Sequence, residues 1–165
     1  MKSTLVLLSA AIMLIGCSKQ QDYLKSAEEN LKNNKIQEAV SDYENFVEEN
    51  PMSEKAPEAL TKLASIYQNK MIKNLSAKES LEKSVQIYRR VYDEYPNSTQ
   101  APTSLFMSAF ILANELQKYQ PAEATYKLFL QKYPNHELAN SAREELNNLG
   151  LTPEEILKRK SPPNT

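Results

Sequence analysis

Apolar residues recur along this chain at three- and four-residue intervals from about residue 20 to residue 149. Ile36, Ala39, Val40, Tyr43, Phe46 and Val47 show the rhythm most plainly, and such spacings fall on one stripe of a 3.6-residue helix. The pattern predicts helices near 20–33, 36–49, 54–72, 77–94, 99–118, 121–132 and 136–148. Ser76 and Glu79 form a capping-box signature that starts the fourth. A short last helix begins at Thr152-Pro153, with threonine as its cap and proline in its first position. Gly150 is placed to end the seventh in the left-handed conformation. No alternating β-branched run is long enough for a sheet, so the predicted fold class is all-α.

The rhythm repeats at a larger scale. Aligned on Pro51, Pro96 and Pro134, the chain places Ala56, Ala101 and Ala139 five residues on, and Ala59, Ser104 and Ala142 eight residues on. Twelve residues before the same prolines stand Ala39, Ser84 and Ala122, eight before stand Tyr43, Tyr88 and Tyr126, and five before stand Phe46, Val91 and Phe129. Small residues suit close helix approach and the aromatic fills the space beside them. Proline ends the helix because the residue before it is pushed out of the α region. The break DEYPNSTQAP is therefore read as a joint between helix pairs, with Ser98 able to cap the next helix and Ala101 letting it pack closely.

This pattern resembles the tetratricopeptide repeat. Tyr23, Ala27, Ala39, Tyr43, Phe46 and Pro51 keep that family's spacing in the first unit, and Leu60, Leu63, Ala64 and Tyr67 match its first-helix motif in the second. Where the family has glycine, this chain has Ala64 and Ala109. The junctions, Tyr-Pro-Asn-Ser followed by Ala and Pro, are similar to those of the BamD family of outer-membrane assembly lipoproteins and of the periplasmic cell-division coordinator of the Tol-Pal system. The resemblance covers about residues 20–149 and implies antiparallel helix pairs stacked as a short α-solenoid that holds protein partners.

Composition agrees with a helical array: glycine occurs twice, at Gly16 and Gly150. The 20 basic and 21 acidic residues nearly cancel, so a surface tracking nucleic-acid phosphates is not implied. The run Lys158-Arg159-Lys160 reads as a solvated helix end.

The first residues change the picture more. One lysine at position 2 is followed by an apolar to weakly polar run from Leu5 to Gly16. Its twelve residues rise about 18 Å as a helix, short of a hydrocarbon core of roughly 30 Å. It reads as a signal peptide. Leu14-Ile15-Gly16-Cys17 resembles a lipobox, which implies a lipoprotein signal peptide over 1–16, lipidation at Cys17, and a mature tetratricopeptide-repeat domain over 17–165 with three repeats, a capping helix and a short tail. Ser18 after the cysteine favours the outer membrane by the enterobacterial sorting rule, placing the protein in the cell envelope facing the periplasm. Cys17 is the chain's one cysteine, so an intramolecular disulfide and a cysteine metal cluster are both excluded.

Candidate chemistry is sparse. His136 is the one histidine, at a helix start after a proline junction, where a solvated or capping role fits best. Glu48-Glu49, Glu144-Glu145 and Glu154-Glu155 diverge around their helices. With no phosphate loop and no nucleophile elbow, neither an enzyme nor a cofactor or metal is expected.

The segment SLFMSAFILANEL is apolar nearly all round. Leu105, Ala109 and Leu112 occupy packing positions. Phe106 and Phe110 stand at offsets that line the concave groove in the tetratricopeptide family, and Thr61 and Ser65 hold those offsets in the second unit. The resemblance thus implies a partner-binding groove of Phe106, Phe110, Thr61 and Ser65. The residues alone leave a second reading, in which C-terminal helices cover the two rings through Ile156 and Leu157.

The expected function is a lipid-anchored envelope scaffold for other envelope proteins or their peptide or helical segments, serving as an accessory subunit in outer-membrane protein assembly. Alternatives are a cell-envelope organiser, a pilotin-like helper, and a periplasmic carrier of peptide or glycan.

Overall fold

The computed structural model describes residues 22–160. Eight α-helices run through them: α1 over 22–32, α2 Ile36–Glu49, α3 Ala56–Gln68, α4 Ala77–Glu94, α5 Gln100–Phe110, α6 Tyr119–Lys132, α7 Ala139–Asn148 and α8 Pro153–Lys160. Consecutive helices pack antiparallel as stacked pairs: α3 lies against α2 and α4, and α5 against α3, α4 and α6. The expected signal peptide over 1–16, Cys17 and the tail beyond residue 160 lie outside the described residues.

Connections gather at two ends of the stack. At the junction end lie 50–55, 95–99 and 133–138, tied by the Tyr95 hydroxyl donating to the Pro51 carbonyl at 2.8 Å. At the turn end lie 33–35, 69–76 and 116–118, where Lys70 meets Glu115 at 2.8 Å.

The junctions share one conformation because each precedes a proline. Asn50 (φ −135°, ψ 53°), Tyr95 (−128°, 53°) and Tyr133 (−131°, 56°) leave the α region in the same way. Each N–H still reaches back to the helix, to the carbonyls of Phe46, Val91 and Phe129. Ser98 caps differently from expectation. Its carbonyl accepts from the Ala101 N–H at 3.2 Å, but its hydroxyl is buried without a partner and α5 has no side-chain cap.

The turn ends close without glycine. Asn34 (φ 57°), Lys70 (56°) and Gln117 (53°) sit in the left-handed region. The N–H groups just beyond reach back to Asn30, Ile66 and Leu112, so stranded carbonyls at these helix ends are satisfied. This closure stops α3 at Gln68, short of the expected residue 72. The expected 99–118 helix ends earlier too, passing into a π-helical turn over Ile111–Glu115. Gly150 is left-handed as expected (φ 78°).

The predicted capping box at Ser76 and the predicted threonine cap at Thr152 both form. The Glu79 N–H donates to Ser76 Oγ at 3.2 Å while Glu79 Oε2 accepts from the Ser76 N–H at 2.9 Å. The Ser76 hydroxyl, donating to Glu79 Oε2 at 2.6 Å, and after it the Ser76 N–H hold the Glu79 carboxyl below its usual range. Its help to the cap is present above the ordinary carboxylate pKa and lost as pH falls through the lowered one. Ser76→Ala should cost about 1 kcal/mol in urea unfolding; no change in midpoint would contradict the capping role. Thr152 and Glu155 make the same reciprocal pair at the start of α8 (3.3 and 2.8 Å).

The core falls into two clusters that meet at α5. The first holds Tyr43, Phe46, Leu60, Tyr67, Val91 and Ile111, and the second Leu105, Phe106, Leu112, Tyr126 and Phe129. Because α5 is buried between neighbours on several sides, its sequence is apolar nearly all round.

Candidate interaction face

The first helices of successive pairs stand side by side. Lys62 of α3 reaches Glu28 of α1 at 2.8 Å and Glu58 of its own helix at 3.2 Å. Asn114 of the π turn donates to Glu145 of α7 at 3.0 Å. The hydrogen bond from Lys62 and its charge hold the Glu28 carboxyl below the usual range, while the hydrogen bond to Glu28 raises the Lys62 ammonium. Both side chains are largely solvated, so this pair adds little stability.

What fixes this row of helices is polar. The buried Ser84 hydroxyl donates to the Ala64 carbonyl at 2.8 Å and the buried Ser80 hydroxyl to the Tyr67 carbonyl at 2.6 Å, fastening α4 to the back of α3. The Tyr88 hydroxyl adds Gln68 Oε1 at 3.1 Å.

Thr61 and Ser65 lie one turn apart on α3, both half-buried. The Thr61 hydroxyl donates to the Pro57 carbonyl at 2.8 Å, and Ser65 accepts from the Asn69 amide at its carbonyl (2.8 Å) and hydroxyl (3.3 Å). On α5, Phe106 is only 8% exposed and turns inward, edge to face with Tyr126 (5.7 Å) and Phe129 (5.8 Å) of α6. Phe110 is half-buried and stacks on Phe106 at 6.4 Å with planes 23° apart. The two rings that cover Phe106 thus come from α6. The terminal helix lies elsewhere: Ile156 lines a polar cavity of about 470 Å³ with Ala113, Asn114 and Tyr119, and Leu157 is 66% exposed.

The aromatic run continues through Phe129 to Tyr133 (5.7 Å) and His136 (5.8 Å). Desolvation pushes the Tyr126 phenol well above its usual range. His136 Nδ1 accepts from the Leu138 N–H at 3.2 Å, the weak cap expected from its position. Sequence reasoning treated the tyrosines and phenylalanines of this unit separately. The signal that would have joined them was the coincidence in one unit of Phe106, Phe110, Tyr126 and Phe129, where the second unit has Thr61, Ser65, Tyr88 and Val91.

Among the described residues no three His, Cys, Asp or Glu side chains group to hold a metal ion, and no helix is long and apolar enough to cross a membrane. Residues 58–98 and 103–136, the second and third helix pairs with their junction, match the model of the tetratricopeptide repeat. The fold matches a short tetratricopeptide-repeat solenoid. No curated protein matches the chain. The tetratricopeptide architecture is one of protein–protein interaction, and stacked helical repeats create extended concave surfaces. The pair α1–α2 stacks on the matched repeats with the same junction geometry, although it lies outside the matched residues.

Proposed function

We propose that the protein is a lipid-anchored scaffold of the bacterial envelope. Its tetratricopeptide solenoid would hold a segment of another envelope protein across α3 and α5. The observation that carries this reading is Phe110, a half-buried ring stacked on the buried Phe106. Rigid aromatic side chains backed by packed neighbours suit a contact with a partner's apolar residue. Thr61 and Ser65 would form the polar part of the same face, and Phe106 would support Phe110.

Anchoring would come from acylation of Cys17 in the lipobox Leu14-Ile15-Gly16-Cys17. Four residues separate Cys17 from the start of α1 at Asp22, a reach of at most about 17 Å, which would keep the array near the membrane surface. By its junction sequences, the specific role we favour is an accessory subunit in outer-membrane protein assembly.

Affinity purification from crosslinked native membranes tests this. Phe110→Ala should lose the captured partner while the melting temperature stays nearly unchanged; retention of the partner by a folded variant would remove this face from consideration. Cys17→Ser should move the protein from the membrane to the soluble fraction, and a variant that stays on the membrane would contradict the anchor.

A further inference from the structure

The turn end of the solenoid differs from the junction end in charge. Connections 33–35, 69–76 and 116–118 carry four lysines, Lys35, Lys70, Lys73 and Lys118, and no acidic residue. Two of these are neutralised locally, Lys70 by Glu115 and Lys118 by Glu82. Lys35 and Lys73 are exposed and form no ion pair among the described residues. They flank a groove of about 610 Å³ between the first two connections, with Ile36 and Met71 as its apolar residues and Glu38 as its one acid. Met71 is 38% exposed between two lysines in sequence. The junction connections 50–55, 95–99 and 133–138, by contrast, carry two acids, Glu54 and Glu137, against one lysine, Lys55.

We infer that this turn-end groove is a second docking site, distinct from the α3–α5 face, and that its occupant is a protein segment that places acidic residues against Lys35 and Lys73 and an apolar side chain against Met71 and Ile36. Charge complementarity selects the sign of the partner and steers its approach. Burial of the thioether and the isoleucine supplies the attraction that two surface cations alone would not. A flexible methionine tolerates varied apolar side chains.

An anionic membrane shares the charge but not the shape, since a flat bilayer cannot enter a concave groove. Orientation also opposes it. Residue 22 opens α1 at the junction end, where Tyr23 bonds to Glu49 at 2.9 Å, and eleven helical residues carry the chain about 16 Å toward the turn end. With the anchor at Cys17 proposed above, the groove points away from the lipid.

The test uses the full chain in zwitterionic nanodiscs. A fluorescent peptide alternating glutamate with leucine and phenylalanine is titrated in, beside its glutamine and lysine counterparts and vesicles of phosphatidylglycerol. The acidic peptide should bind saturably, weaken with added salt, and protect the amides of 34–38 and 71–74 from hydrogen exchange. Lys35→Glu with Lys73→Glu should weaken it about tenfold or more, while Lys132→Glu at the other end changes it by less than about twofold. Equal binding of the glutamine peptide, protection confined to α3 and α5, binding of vesicles alone, or salt-sensitive self-association without peptide binding would each overturn the inference. Protection confined to α3 and α5 would do so while supporting the separate interaction face. Lost capture by Phe110→Ala with the turn-end footprint intact would do the reverse.

Discussion

Phe106→Ala should cost about 3–5 kcal/mol of stability, and Phe110→Ala much less, although the two rings stack on one another. Phe106 is 8% exposed and enclosed by Tyr126 and Phe129, both fully buried, so truncation leaves a cavity whose walls are large, rigid rings from another helix. Such walls collapse poorly, which places the cost in the upper part of the range for large-to-small changes. Phe110 is half-buried, and its loss removes one stacked contact from a site that water can refill. Thermal and urea unfolding should show a fall in melting temperature on the order of 10 °C for the first variant and a few degrees at most for the second. A loss below about 1 kcal/mol for Phe106→Ala would mean that α5 and α6 repack around the gap, and the assignment of Phe106 as the ring that braces Phe110 would fail with it.

This difference between neighbouring phenylalanines is where sequence reading reached its limit. The helix pairs were legible because two periods agreed, the 3.6-residue stripe within helices and the recurrence of small, aromatic, bulky and proline positions between them. The three junctions were legible because proline restricts the residue before it whatever the surroundings, and Asn50, Tyr95 and Tyr133 share one backbone conformation. The turn ends were less so. Asn34, Lys70 and Gln117 adopt positive φ to close their own helix ends with no glycine to announce it, and α3 is consequently shorter than its apolar pattern suggests. Offsets in the repeat placed Phe106 and Phe110 on one stripe, but offsets do not tell which way a ring leans. That depends on Tyr126 and Phe129, about twenty residues away in sequence, closing over one of them. Ser98 failed as a side-chain cap for a related reason: its hydroxyl is enclosed at the junction, so its carbonyl does the capping.

Ala64→Leu is the other change expected to be costly, for the opposite reason. Here the helices are too close. Ala64 is fully buried, and its carbonyl accepts the Ser84 hydroxyl at 2.8 Å, a contact that needs the backbone of α3 within reach of a short side chain on α4. A leucine would force α4 outward, and overpacking of this kind costs about 1–3 kcal/mol. The displaced Ser84, buried at this interface, would lose its acceptor, adding about 1–3 kcal/mol for an unpaired hydroxyl. Ser84→Ala separates the two contributions. It removes the donor without adding volume, and should cost about 1 kcal/mol. Urea unfolding followed by circular dichroism measures both; a leucine variant no less stable than Ser84→Ala would disprove the close-packing account. Amide exchange adds a spatial prediction. Solenoid stability is a sum over neighbouring interfaces, so exchange should accelerate in α2, α3 and α4 and change least in α7. Equal acceleration along the whole stack would instead mean that the array unfolds as one unit, with the α5 bridge between its two clusters strong enough to make them inseparable.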